Sequence, residues 1–214
     1  IIKPLGTPRT DIFFDESFVS SAREKLLNLF PEIGKRKIIL YAPTFRGNNP
    51  DESYNENRLD FEKLSFALSD EYVLVLKLHP FMAKKFDLTK EEKEKYSSFV
   101  FNASNLIKTD VALCAADILI ADYSSLIFEF SLLQKPMLFF AYDLEEYDRD
   151  RSFYYDYKSF IPGKLVTDTE EIVSAIKSKD FESKKILPFK EKFMSACNGE
   201  STKRIAEYVI EKFG

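Results

Sequence analysis

A short apolar segment of this chain is followed by two adjacent hydroxyl side chains, Ser124 and Ser125. Residues 118–121 are typical of a buried strand, and Ser125 to Leu133 have helical spacing, so both serines are expected at the start of a helix. Unpaired backbone N–H groups and the helix dipole favour an anion there, although Ser is also a common helix cap. The segment therefore predicts a cap or a phosphate site.

Two further polar side chains follow an earlier strand. The segment Lys37 to Tyr41 is apolar and β-branched, and Thr44 and Arg46 come just after it. A hydroxyl and a guanidinium fork at the end of a strand can hold an anionic ligand. We interpret both as candidate phosphate-binding residues. The alternative for Arg46 is a solvated loop residue.

The single histidine of the chain lies at the end of a third apolar segment. Tyr72 to Leu78 is predicted as a strand, and Lys77 and His79 stand at its carboxyl end on the same side of the chain. A lone histidine is often structural, but this position favours contact with a ligand, and we predict that Lys77 takes part in the same contact.

These residues require a particular architecture to meet. Apolar strands alternate with helical segments, which predicts an α/β fold: a Rossmann-like, mostly parallel sheet with helices on both faces. The predicted strands end at Tyr41, Leu78, Phe101, Ala121 and Phe140, with Lys164 to Val166 as a further candidate. Ligands of such sheets bind outside the carboxyl ends of the strands, where all the candidate side chains fall.

The remaining segments are predicted from spacing and composition. Helices are expected at Glu16 to Phe30, Asp110 to Ala116, Thr169 to Lys177, Glu191 to Ala196 and Ser201 to Phe213, with Asp110 and Thr169 as caps. Residues 142–157 are acidic and rich in tyrosine, and we interpret them as a surface loop that packs on a ligand or a partner domain, or as a well-packed crossover. The polar segment Asn48 to Asn57 is expected to be a loop near the site.

Composition excludes several classes of protein. The 214 residues are 45% hydrophobic, enough for one substantial core, and the net charge of −4 argues against a nucleic-acid surface. Cys114 and Cys197 lack the spacing of metal ligands, so we predict buried, reduced thiols. No apolar run has the roughly 18 residues of a membrane span, and no signal peptide is visible at Ile1.

The start of the chain suggests how its domains are organised. Two prolines and a glycine fall within residues 1–11, and the chain begins with Ile1 rather than Met. We expect residues 1–15 to be a linker and the end of an upstream domain. Residues 16–214 are predicted as a nucleotide-donor-binding, Rossmann-like domain.

Common catalytic motifs are missing from the sequence. It contains no G-x-G-x-x-G, no G-x-x-x-x-G-K-[ST], no G-x-S-x-G and no cluster with metal-ligand spacing. The candidate hydroxyl, imidazole and cationic groups suit a diphosphate better than a covalent mechanism. We expect neither a cofactor nor a metal ion.

Several motifs, spread in order along the whole chain, resemble those of the CDP-glycerol glycerophosphotransferase family, the teichoic-acid polymerases and primases. The similar segments are residues 6–11, 41–46, 77–80, 117–129, 135–136, 142–144, 151–157, 162–163 and 198–201. Any one of them alone is weak, and their common order makes the match specific. Glu129 stands where the family usually has Asp.

The resemblance implies the C-terminal, donor-binding half of a GT-B fold. It also implies a reaction in which an acceptor hydroxyl attacks the β-phosphorus of CDP-glycerol and CMP leaves. By analogy His79 would contact the diphosphate and support the leaving group, with Ser124 and Ser125 on phosphate oxygens and Glu129 on the ribose. Thr44 and Arg46 would line the same cleft.

The resemblance further implies partners outside this chain. The acceptor would be a lipid-linked polyol phosphate at the cytoplasmic face of the membrane, to which the full-length enzyme binds peripherally. The general base would belong to a missing N-terminal half, so we expect this chain to bind nucleotide without turnover. Alternatives are a CDP-ribitol ribitolphosphotransferase, a UDP-sugar GT-B transferase or epimerase, and a non-catalytic nucleotide-binding or docking module.

Overall fold

The computed structural model describes residues 2–46, 59–79 and 88–213 and contains a parallel sheet. Its strands are β1 (Lys37–Ala42), β2 (Tyr72–Leu76), β3 (Val100–Asn102), β4 (Ile118–Ala121), β5 (Met137–Phe140) and β6 (Lys164–Val166). They are ordered β3-β2-β1-β4-β5-β6, and each neighbouring pair is parallel. The order reverses between β1 and β4, which makes their carboxyl ends the switch point where such sheets bind ligands.

Helices cover the two faces of this sheet. They are α1 (Glu16–Leu29), α2 (Phe61–Leu68), α3 (Lys90–Lys95), α4 (Thr109–Ala115), α5 (Leu126–Leu132), α6 (Leu144–Arg151), α7 (Tyr157–Phe160), α8 (Thr169–Ser178), α9 (Ile186–Phe193) and α10 (Ser201–Phe213). Short 3-10 helices span Pro8–Phe14, Pro31–Ile33 and Ser183–Lys185. No helix in the described ranges combines the length and apolarity required to cross a membrane.

The core lies on both faces because the strands are apolar on both sides. Along β1, Ile38 and Leu40 enter the cluster beneath α1, α4, α5 and α9, whereas Ile39 and Tyr41 enter the cluster beneath α2 and α8. Successive strand residues point to opposite faces, so a central strand must be apolar throughout. The α/β, Rossmann-like prediction is confirmed, including the sixth strand, and all the described pairings are parallel.

Two predictions about elements were wrong. Residues 144–151, interpreted as part of a loop, form helix α6, which has no buried residue and therefore lacks the apolar stripe that reveals a helix in sequence. The predicted helix from Glu191 to Ala196 is instead α9, Ile186–Phe193, which includes Pro188 in its first turn, a position where proline is tolerated.

Two predicted helix caps were also wrong. Lys108, not Asp110, occupies the N-cap position of α4, and the Asp110 carboxylate accepts from the next amide, Val111 N. The α8 cap is Asp168, whose side chain accepts from Glu171 N at 2.8 Å. Thr169 lies one residue further and accepts from Asp60 N, so it joins α8 to the start of α2.

The N-terminal segment packs against the rest of the domain. Thr10 and Phe13 are buried, and the Asp11 carboxylate accepts from Ser201 N and Thr202 N at 2.9 and 2.8 Å, capping α10. Burial acts to raise the pKa of Asp11, but these bonds outweigh it and lower that pKa to about 2. Whether residues 1–15 also connect to an upstream domain stays a prediction.

Two further predictions concern the cysteines and a loop. Cys114 and Cys197 are free and buried, as predicted, and burial raises the pKa of Cys114 to about 11. Such a thiol is protonated at neutral pH and is a poor nucleophile. The predicted loop from Asn48 to Asn57 lies outside the described residues.

Candidate nucleotide-diphosphate site

The carboxyl ends of three adjacent strands bring most of the candidate residues to one edge of the sheet. Tyr41 of β1 pairs in register with Leu76 of β2, and Ala42 pairs with Ala121 of β4. The segments that continue from these strands carry Thr44 and Arg46, Lys77 and His79, and Ser124 and Ser125. The shared edge that the sequence predicts is therefore present.

Asp122 joins the segments that follow β1 and β4. Its carboxylate is buried and accepts from Thr44 N at 2.8 Å and from the Arg46 guanidinium at 2.9 Å. Asp143, which follows β5, binds the other side of that guanidinium through Nε at 2.6 Å and through the second terminal nitrogen at 3.0 Å. We call Arg46, Asp122 and Asp143 the Arg46 cluster.

The Arg46 cluster is a buried ion network rather than a surface pair. The side chains of Arg46 and Asp122 are 9% and 4% exposed. Burial acts to lower the pKa of Arg46, but its bonds to Asp143 and Asp122 outweigh burial and raise that pKa. Burial likewise acts to raise the pKa of Asp143, and the bonds and charge of Arg46 hold it below its usual value. Burial raises the pKa of Asp122, and the charge of Arg46 opposes that increase. Arg46 and Asp143 are therefore ionised at neutral pH.

Tyrosines surround this network and connect it to the helices. Tyr123 donates its hydroxyl to Asp143 at 2.9 Å, and Tyr157 donates to the Asp122 carbonyl at 2.8 Å. The guanidinium carbon lies 4.9 Å from the ring centre of Tyr123 and 5.2 Å from that of Tyr147. These cation–π contacts occupy the faces of Arg46 that its hydrogen bonds leave open.

Arg46 and Lys77 are engaged by the protein itself. Arg46 also donates to the Thr44 carbonyl at 2.8 Å, and Lys77 Nζ donates to the Ser104 carbonyl at 2.5 Å. Burial lowers the pKa of Lys77. A direct phosphate contact by either side chain would compete with these bonds. The ligand roles of Arg46 and Lys77 stay predictions.

Thr44 Oγ1, the Ser125 hydroxyl and the His79 imidazole lie outside the hydrogen bonds of the Arg46 cluster. Thr44 Oγ1 is buried and has no hydrogen-bond partner within the ranges 2–46, 59–79 and 88–213. Ser125 is exposed at the N-cap position of α5, where its side chain forms no capping bond. His79 is exposed, with its ring centre 5.2 Å from that of Phe45. Ser125 and His79, which are exposed, can meet a ligand without breaking the Arg46 cluster.

Ser124 combines both interpretations of the serine pair. Its hydroxyl accepts from Leu126 N at 3.3 Å, a long bond of the capping kind, while the residue remains partly exposed. The capping interpretation therefore fits Ser124, and Ser125 keeps a hydroxyl directed to the surface.

Glu129 lies one helical turn beyond Ser125, on the side of α5 that meets the N-terminal segment. Its carboxylate forms an ion pair with Arg9, with 2.8 Å between Glu129 Oε1 and Arg9 Nη2, and the Arg9 side chain is 66% exposed. Burial raises the pKa of Glu129, and Arg9 opposes that increase. Close to this pair, a cavity of about 240 Å³ is lined by Arg9, Phe13, Lys108, Thr109 and Asp110.

Sequence reasoning missed the residues that hold this site together. Asp122 and Asp143 were passed over, although each is an acid at the end of a buried strand, a signal that was available in the sequence. Arg9, in the N-terminal segment, pairs with Glu129 and so ties that segment to α5. Among the described residues, no group of three His, Cys, Asp or Glu side chains could hold a metal ion.

The fold and the site together define a Rossmann-like half of a GT-B protein, with its candidate ligand groups at the switch point between β1 and β4. Residues 2–211 match the family described as CDP-Glycerol:Poly(glycerophosphate) glycerophosphotransferase. This chain belongs to that family, as its motifs predict.

Curated relatives act on two kinds of alditol. The chain is 38% identical over 206 residues to the teichoic acid poly(ribitol-phosphate) polymerase of Bacillus spizizenii, covering 96% of this chain and 33% of the relative. It is 38% identical over 208 residues to the teichoic acid glycerol-phosphate primase of Bacillus subtilis, covering 96% and 50% respectively. Both names describe teichoic acid synthesis, one with ribitol phosphate and the other with glycerol phosphate.

Solved structures of the wall teichoic acid polymerase TagF share the fold. One, of a variant soaked with CDPG, superposes with a TM-score of 0.80 at 28% identity and covers 99% of this chain and 52% of that one. Another variant superposes with a TM-score of 0.78 at 27% identity, covering 96% and 51%. This chain thus spans about half the length of these TagF chains and from 33% to 52% of the first curated relatives.

Proposed function

We propose that this chain is the donor-binding domain of a CDP-alditol phosphotransferase. It binds CDP-glycerol or a related CDP-alditol, whose alditol phosphate is transferred to a polyol-phosphate acceptor of the teichoic-acid type. The observation that carries this proposal is the set of hydroxyl and imidazole groups at the carboxyl edge of β1, β2 and β4, beside the Arg46 cluster that joins the segments after β1, β4 and β5.

The donor diphosphate would lie across this edge. Among the described residues, the Ser125 hydroxyl makes no capping bond and Thr44 Oγ1 has no hydrogen-bond partner, so both can donate to a phosphate. The Ser124 hydroxyl accepts from Leu126 N and would be a third donor. Hydroxyl and backbone N–H donors suit phosphate oxygens. His79 would contact the same diphosphate from the neighbouring strand.

The nucleoside would lie on the Glu129 side of α5. The Glu129 carboxylate can accept two ribose hydroxyl bonds, and a longer acid than the usual Asp still reaches them. Arg9 now holds that carboxylate, so ribose binding would share Glu129 with Arg9 or displace it. The cavity beside Arg9 and Lys108 leaves room for the base.

The reaction exchanges one P–O bond for another at the donor β-phosphorus. An acceptor oxygen forms the new bond, the bond to the CMP oxygen breaks, and the acceptor proton passes to a base. His79 would donate to the phosphate oxygen of departing CMP, stabilising charge that grows in the transition state. The base would come from the part of the relatives that this chain does not span, so we expect binding without turnover by this chain alone.

Features of the whole protein follow from the same proposal. Its acceptor would be lipid-linked, which places the enzyme peripherally at the inner face of the cell membrane. Glycerol and ribitol donors are both represented among the relatives, so the proposal covers both alditols.

Calorimetric titration of the chain with CDP-glycerol, CDP-ribitol, CDP, UDP and ADP tests this function. Cytidine nucleotides should bind more tightly than the others, and His79→Ala should weaken CDP about 10- to 100-fold through the loss of a charge-assisted bond. Equal affinity for UDP would favour a UDP-sugar enzyme. No change on replacing His79 or Ser125 would favour a non-catalytic docking module.

A further inference from the structure

A second cavity, on the other side of α5, shares its rim with the candidate phosphate groups. It measures about 430 Å³, within the range of about 300–1,000 Å³ that is usual for ligand sites. We call it the aromatic cavity; it is lined by Asp122, Tyr123, Ser124, Ser125, Ile127, Phe128, Phe153, Tyr154, Tyr155, Tyr157, Phe160 and Phe193. Neither Glu129 nor Arg9 lines it.

Two groups of packed rings form its walls. On one side Tyr123, Phe153 and Tyr157 lie with ring centres 5.0 to 5.5 Å apart. On the other, Tyr155 stacks on Phe160 at 5.4 Å with the rings 4° from parallel. Ring packing of this kind holds each wall in one arrangement.

The Arg46 cluster fixes the first wall more firmly. The Tyr123 and Tyr157 hydroxyls are committed to Asp143 and to the Asp122 carbonyl, so these tyrosines present ring surface to the cavity. Tyr154, at 93% exposure, extends from the rim into solvent and contacts Tyr155 at 5.0 Å. The cavity therefore offers preformed aromatic faces beside two serine hydroxyls.

We propose that the aromatic cavity receives the alditol end of the donor and so forms the alditol subsite. The inference rests on the proposed function, in which Ser124 and Ser125 hold the diphosphate and Glu129 holds the ribose. A diphosphate joins the nucleoside to the alditol, so with the nucleoside on the Glu129 side of α5, the alditol extends to the other side. The cavity that shares Ser124 and Ser125 occupies that side.

The chemistry of the walls fits an acyclic polyol phosphate. Aromatic faces pack against the C–H groups of the carbon chain, while the serine rim bonds the phosphate at its end. Because three-carbon and five-carbon alditols differ in the length of chain that these rings cover, the cavity is also the place where glycerol and ribitol donors are distinguished.

Comparison of CDP with CDP-glycerol and CDP-ribitol isolates this subsite. Tyr154→Ala should weaken the better of the two CDP-alditols about 3- to 10-fold, the usual range for one aromatic contact, and change CDP affinity less than about twofold. Phe66→Ala is the matched control, since Phe66 is 94% exposed on α2 and absent from the cavity lining. It should change neither affinity.

Each outcome separates this inference from the proposed function. Failure of wild-type protein to bind CDP would overturn the proposed function itself. Binding of CDP together with equal losses for CDP and CDP-alditols in Tyr154→Ala would place the nucleoside in the aromatic cavity and overturn the subsite. Unchanged CDP-alditol affinity in both Tyr154→Ala and Ile127→Ala would also overturn it, with thermal unfolding confirming that each variant is folded.

Discussion

The Arg46 cluster and the rim above it contain polar residues in opposite states. In the cluster, a guanidinium and two carboxylates are largely buried and bonded to one another. On the rim, Ser125 and His79 are exposed. The contrast separates residues that hold three segments in place from residues that can touch a ligand, although all of them stand at the ends of strands.

The comparison also explains why a cationic residue need not be the phosphate ligand. Among the candidates, only Arg46 carries a guanidinium fork, whose geometry matches a phosphate. Its fork is filled by Asp143 instead, and Asp122 neutralises it further. In the proposed function the rim would instead bind phosphate through hydroxyl and imidazole groups on segments that the cluster joins.

Breaking the cluster should give the largest effect. Arg46→Ala leaves two carboxylates without their cation, which should lower the free energy of unfolding by about 3–5 kcal/mol in urea denaturation. Arg149→Ala is the control, since its side chain is 71% exposed and it pairs with the adjacent Asp150. A loss below about 0.5 kcal/mol is expected there. A similarly small loss for Arg46→Ala would show that the cluster does not hold the segments.

Weakening one side of the cluster should give an intermediate effect that depends on pH. Asp143→Asn keeps the Asp122 pair and should cost about 1–3 kcal/mol at pH 7. The folded-state pKa of Asp143 lies below its ordinary value of 3.8. Its contribution to the free energy of unfolding is therefore complete above pH 3.8 and is lost as pH falls through the folded-state pKa.

Denaturation midpoints at pH 7 and pH 3 measure this dependence. Wild-type protein should lose more stability between the two than Asp143→Asn does, and exposed Asp150→Asn should behave as wild type. Equal losses of stability between pH 7 and pH 3 in wild type and Asp143→Asn would mean that the ionised Asp143 carboxylate does not stabilise the fold through Arg46.

Changing the rim should affect binding and leave folding intact. Ser125→Ala removes an exposed hydroxyl without a capping bond, so the free energy of unfolding should change by less than about 0.5 kcal/mol. CDP affinity should fall about 2- to 12-fold, the value of one hydrogen bond. Ser20→Ala on α1 is the matched exposed control. Loss of stability without loss of CDP affinity in Ser125→Ala would show that Ser125 caps α5 and does not bind the ligand.

Much of the sheet was readable from sequence because its strands are apolar on both faces and separated by helical segments. The order of the strands was not, since each apolar strand could pair with any other. Helix α6 was missed for a related reason: Leu144 to Arg151 bury no residue, so no periodic stripe marks them. A periodic apolar pattern marks the buried face of a helix, so a fully exposed helix has no such pattern.

The site was predictable to the same degree. Position after a strand was enough to place Thr44, His79 and the serines at one edge of the sheet, because parallel strands end there. The partners of Arg46 were not found, since Asp122 and Asp143 lie 76 and 97 residues away and nothing local to Arg46 reveals them. Long-range ion pairs of this kind are decided by topology rather than by neighbouring residues.

The capping of α10 by Asp11 has a consequence for how the chain folds. The carboxylate and the amides it accepts are 190 and 191 residues apart, so this bond closes a loop that includes every strand of the sheet. Closing so long a loop is entropically costly until the sheet has formed. The first turn of α10 should therefore become ordered late in folding, after the sheet has formed.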